Sequence, residues 1–131
     1  MMNRRDFVRV AAASLGAAAV VSSDTMTSAQ EPTMSLNVIY PNQEGAKFDT
    51  AYYRSTHIPL AMKVMKASSV LVIEGVPNGA AAAPYAMIAH FAFPSADALK
   101  AALANPAMAE VRADVPRFTD IAPTIMFGKS V

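Results

Sequence analysis

Two tyrosines and one of the chain's two histidines stand close together in Phe48-Asp49-Thr50-Ala51-Tyr52-Tyr53-Arg54-Ser55-Thr56-His57-Ile58-Pro59-Leu60. An imidazole changes charge near neutral pH and a phenol is a good hydrogen-bond donor, so the set is suited to proton transfer on a small molecule. The segment reads as helix, and at about 100° per residue Tyr53, His57, Leu60 and Val64 share one stripe. Phenol and imidazole therefore project the same way, beside two aliphatic side chains, into a region shielded from bulk water. The same spacing also fits a core histidine satisfied by a single hydrogen bond.

The elements that must hold this helix follow from the flanking patterns. Leu36 to Tyr40 is a short strand ended by Pro41, and Pro41 to Gly45 is a turn leading to the helix. Asp49 is placed to cap it. Pro59 lacks an N–H and crowds the preceding turn, which predicts a kink or restart around Ser55 to Ile58. Met62 and Met65 fall roughly opposite Tyr53 and read as packing residues. Ser69 to Val76 is a β-branched run closed by Pro77-Asn78-Gly79, and Tyr85 to Phe93 is a further strand that pairs with it. Ser95 caps a second helix to Ala104, Asn105-Pro106 restarts a shorter one to Asp114, and Thr124 to Phe127 is the last strand. The order β-α-β-β-α-β is ferredoxin-like: an α+β domain with a four-stranded antiparallel sheet and its helices on one face.

Along Tyr85 to Phe93 neither alternating set is plainly polar, so both faces of the sheet need cover. The helices cover one. A second copy on the other predicts a homodimer, packed sheet to sheet as a dimeric α/β barrel.

The chain has 131 residues and no cysteine, which excludes a disulfide framework, a zinc–thiolate site and thiol catalysis. It opens with Arg4-Arg5-Asp6-Phe7 and an Ala-rich apolar run to Val21, the pattern of a twin-arginine signal peptide over residues 1–29, cleaved after Thr27-Ser28-Ala29. That reading predicts a periplasmic or secreted protein with no membrane anchor after cleavage, a linker over 30–35 and a domain over 36–131. Residues 30–131 carry eight basic and eight acidic side chains, without a basic cluster, which argues against nucleic acid as a partner.

A second polar cluster lies in Asp114-Val115-Pro116-Arg117-Phe118-Thr119-Asp120-Ile121-Ala122-Pro123, before the last strand. By itself it reads equally as a capped turn with Phe118 plugging the core. Together with Phe48, Asp49, Tyr52, Tyr53, His57, Pro59, Leu60, Pro84-Tyr85 and the segment from Phe93 to Leu103, it resembles the EthD family, named for ethyl tert-butyl ether degradation. The likeness runs from about Val38 to Met126. It implies the dimeric α/β-barrel fold, a small-molecule cavity between the sheet and the first helix, and Tyr53, His57, Asp114 and Phe118 as recurring residues. Arg117 departs from the asparagine frequent before Phe-Thr-Asp in that family, and export is unusual for it.

Two functions follow. The first is an enzyme acting on a small hydrophobic organic compound, with His57 as general base or acid, Tyr53 as its hydrogen-bonding partner and Asp114 orienting the imidazole or a substrate hydroxyl, while Tyr40, Tyr52, Phe118 and Thr119 bind substrate. The reductase label carried by relatives rests on family naming, since the chain has no Gly-x-Gly-x-x-Gly turn. The second is a ligand-binding or accessory protein of a degradation pathway using the same cavity. Haem on His57 or His90 is a third reading, with His90 more simply a buried strand residue. No metal site and no cofactor are expected.

Overall fold

The computed structural model describes residues 32–131. The expected signal peptide, its expected cleavage point and the export they would imply lie outside the described residues. Strand β1 (Met34–Pro41) begins two residues before Leu36, because Met34 already pairs with Phe93 on one side and Lys129 on the other. The chain then passes through a short helix α1 (Thr50–Tyr52), a π-helical turn (Tyr53–His57) and helix α2 (Ile58–Met65). Strands β2 (Ser69–Glu74) and β3 (Tyr85–Phe93) follow, then helices α3 (Ala96–Ala104) and α4 (Met108–Asp114), a 3-10 turn (Val115–Arg117) and strand β4 (Thr124–Lys129).

The four strands form one antiparallel sheet in the order β2-β3-β1-β4, which is the ferredoxin-like topology. The expected closed barrel is not what forms. The sheet is open, with β2 and β4 at opposite edges. At about 4.8 Å between strands, four of them span too little width to curl round a core, whereas small closed barrels take about eight.

The helix-side face is the core. Leu36 and Tyr40 of β1 and Met87, Ala89, Phe91 and Phe93 of β3 alternate inward beneath Ala61, Val64 and Met65 of α2 and Leu99, Met108 and Val111 of α3 and α4. The other face is mixed rather than uniformly oily. Leu71 and Ile73 stand exposed at one end, while Ser35 and Asn37 are buried at the other, where Asn37 Nδ2 donates to Ser35 Oγ (3.0 Å) and to the Met126 carbonyl (3.1 Å) and Asn37 Oδ1 meets His90 Nδ1 (2.7 Å). His90 is thus tied into a strand-to-strand network, opposite Asn37 in register. Among the described residues no helix is long and apolar enough to cross a membrane.

Candidate active site

Asp49 caps the first helix as expected, accepting from the Tyr52 backbone N–H at 3.1 Å. The conflict raised by Pro59 is resolved without a break. Its ring crowds the carbonyl of Ser55, and the helix widens just upstream so that the Ile58 N–H donates to the Tyr53 carbonyl, five residues back. This π-helical turn holds both chemical groups: Tyr53 and His57 are its first and last residues, both buried, with rings stacked 5.7 Å apart at 18°. It also re-phases the helix, so that Tyr53, His57, Ala61 and Met65 form the inner wall and Leu60 is only partly buried. Met65, placed by periodicity on the opposite side, therefore lines the site.

The carboxylate arrives from 57 residues further on. Asn105 ends α3 and fixes the start of α4, its Oδ1 accepting from the Ala107 N–H (2.9 Å) and its Nδ2 donating to the Val64 carbonyl at the end of α2 (3.1 Å). Helix α4 then runs along α2 and delivers Asp114 from its last turn. The connection beyond is pinned to the segment before α1. The Asp49 N–H donates to the Phe118 carbonyl (2.7 Å), the Thr119 hydroxyl to the Lys47 carbonyl (2.6 Å), and the Lys47 N–H to Asp120 Oδ1 (2.9 Å).

Asp114 Oδ2 lies 2.9 Å from His57 Nδ1, and the Tyr52 hydroxyl donates to Asp114 Oδ1 at 2.8 Å. Arg117 Nε is 3.8 Å from the same Oδ1, but its side chain is mostly in water and contributes little. Burial alone would raise the Asp114 carboxyl. Hydrogen bonds from His57 and Tyr52, with the nearby positive charges, outweigh it and hold the group below the ordinary carboxylate value. In the neutral ring an ionised Asp114 accepts the Nδ1 proton of His57, which fixes the tautomer and leaves the lone pair on Nε2. The same contact pushes the Tyr52 phenol up, so it stays a donor.

His57 and Tyr53 line a cavity of about 290 Å³ between the sheet and helices α2 and α4. Its walls are otherwise almost wholly apolar: Leu36, Val38, Ala61, Met65, Ala89, Phe91, Met108 and Val111 among them, with Tyr40 at the base and Arg112 contributing the single permanent charge. It opens along edge strand β4, where Ile125 and Phe127 line it while remaining 49% and 57% exposed. Pockets of roughly 300–1,000 Å³ take drug-sized ligands, so this one suits a small, largely hydrophobic molecule.

The expected site residues thus divide. His57, Tyr53 and Tyr40 line the cavity, and Asp114 orients the imidazole from behind. Tyr52 faces Asp114 instead of the cavity. Phe118, fully buried, packs on the imidazole with ring centroids 4.6 Å apart and frames it, and Thr119 fastens the loop; neither reaches the cavity. Among the described residues no group of three or more histidines and carboxylates is placed to hold a metal ion.

Fold and site together define an open-sheeted ferredoxin-like domain with a buried His–Asp pair on the wall of an apolar cavity. The EthD domain model matches residues 41–122, and the chain belongs to the EthD family. An EthD-like protein from Ralstonia eutropha JMP134 is 30% identical, with a TM-score of 0.71 over 77% of this chain and 94% of that one. A protein of the ethyl tert-butyl ether (EthD) family from Bacillus halodurans C-125 shares the fold at 19% identity, with a TM-score of 0.62 over 76% of this chain and 99% of that one. No curated protein matches the chain.

Proposed function

We propose that this protein is an enzyme that moves a proton on a small hydrophobic organic compound, with His57 as the acid–base group. One observation carries the reading: the His57 imidazole is held through Nδ1 by a carboxylate at 2.9 Å, on the wall of a cavity of about 290 Å³. A histidine present only for packing needs one hydrogen bond, and a backbone carbonyl would serve. Here a charged partner is buried for the purpose, itself held by the Tyr52 hydroxyl. Burying a carboxylate is costly unless it is fully paired.

The test is turnover of small apolar compounds selected by thermal shift, comparing wild type with His57→Gln. Loss of turnover with binding retained supports the reading. Equal turnover removes His57 from the chemistry, and binding without turnover of any ligand favours the accessory, ligand-binding function. The partly apolar second face of the sheet supports a homodimer in solution, formed across Leu71, Ile73, Ile39 and Ile88.

A further inference from the structure

The Tyr53 hydroxyl is buried without a hydrogen-bond partner among the described residues, on the cavity wall beside His57. A buried hydroxyl left unpaired is destabilising, so this one has a bond to gain from a ligand group that reaches it. The expected bond from Tyr53 to His57 is not made; the two rings lie 5.7 Å apart between centroids at 18°, and both residues line the cavity. The cavity's polar lining is the Tyr53 and Tyr40 phenols, the His57 imidazole and Arg112, in otherwise apolar walls, and of these the Tyr53 hydroxyl is the one buried without a partner.

We propose that the ligand is a small apolar carbonyl compound with a C–H bond on the carbon next to the carbonyl, Tyr53 donating to the carbonyl oxygen while His57 Nε2 takes the adjacent proton. This rests on the acid–base reading above. The bond balance is simple. The C–H electron pair becomes the new C=C bond, the C=O π pair moves onto oxygen, and the enolate so formed is stabilised by the Tyr53 O–H. The imidazolium, its charge balanced by Asp114, returns a proton to the same carbon or to another, so the net change is exchange or isomerisation. Burial pushes the Tyr53 phenol well above its ordinary value, with the neighbouring Tyr40 adding to the effect, so it remains a donor.

The experiment compares 2-tetralone with its hydrocarbon, tetralin, as probes of the whole protein. Binding is read by thermal shift, and hydrogen–deuterium exchange next to the carbonyl by NMR in D₂O. Wild type is expected to bind the ketone more tightly than the hydrocarbon and to speed exchange above buffer. Tyr53→Phe is expected to lose roughly ten- to a hundredfold of both the ketone preference and the exchange. It should keep its affinity for tetralin and melt no lower than wild type without ligand, because it deletes an unpaired hydroxyl. His57→Gln should abolish exchange and retain the ketone preference. Ketone and hydrocarbon bound equally by wild type, a ketone bound without accelerated exchange, or Tyr53→Phe behaving as wild type would each overturn the proposal. Exchange that survives His57→Gln but not Tyr53→Phe would instead sink the acid–base reading and leave the carbonyl contact standing.

Discussion

Asp114 grips His57 by its Nδ1, oxygen to nitrogen 2.9 Å, and so fixes the ring on the wall of the cavity. Replacing the carboxylate by the amide in Asp114→Asn keeps the shape but removes the charge and allows the wrong tautomer. Turnover of an identified substrate should fall by roughly 10²–10⁴-fold with little change in ligand affinity. A loss confined to affinity would mean that Asp114 serves binding alone.

The same pair makes stability depend on acid. The folded Asp114 carboxyl lies below its ordinary value of 3.8, so its contribution is complete above that value and disappears as pH falls through it toward the folded pKa. Between pH 7 and pH 3 the wild-type urea midpoint should drop by more than that of Asp114→Asn. Equal drops in the two proteins would show that the carboxylate gains nothing from its partners in the fold.

Tyr52 holds the far oxygen of that carboxylate at 2.8 Å. Tyr52→Phe removes this bond and no apolar contact, so the melting temperature should fall measurably. Turnover should be reduced in parallel as the Asp114 carboxyl loses one anchor. An unchanged melting temperature and rate would place the Tyr52 hydroxyl outside the site.

Phe118 packs against His57, Tyr53, Tyr40 and Phe48 with ring centroids 4.6 to 5.9 Å away. Phe118→Ala should cost about 3–5 kcal/mol, a large share of a small domain's stability, and Phe118→Leu markedly less. Chemical denaturation measures both. Similar midpoints for the two variants would mean that the surroundings close over the gap.

Filling the cavity from its own wall separates packing from binding. Ala61 is buried on the helical wall between His57 and Met65, and Ala61→Leu would project into the space a ligand needs. It should abolish the thermal shift given by apolar ligands while leaving the ligand-free melting temperature within a few degrees of wild type. A full ligand shift in Ala61→Leu would move the binding site elsewhere.

Much of this arrangement is legible in the residue order. Helical spacing puts Tyr53 and His57 on one face, Asp49 and Ser95 announce helix starts, and the β-branched runs mark the strands. What periodicity could not carry is the way Pro59 is accommodated: a π-helical turn shifts everything after it, which brings Ala61 and Met65 into the cavity and moves Leu60 aside. Tyr52, Phe118 and Thr119 are visible in the sequence as polar or aromatic neighbours of the site. Whether each faces a ligand or braces a loop depends on contacts across more than sixty residues, which local pattern does not encode. The Asn37–His90 contact was hidden for the same reason, since it needs the β1–β3 register. The expectation of a closed dimeric barrel is overturned by the strand order, which leaves β2 and β4 as the two edges of an open sheet.

The most direct measurement is the long-range ¹H–¹⁵N correlation of the His57 ring in wild type and Asp114→Asn at neutral pH. A neutral ring protonated at Nδ1 in wild type, losing that preference in the variant, with Nε2 shifting when an apolar ligand binds, is the expected result. A ring protonated at Nε2, or one unchanged by both the substitution and the ligand, would contradict it.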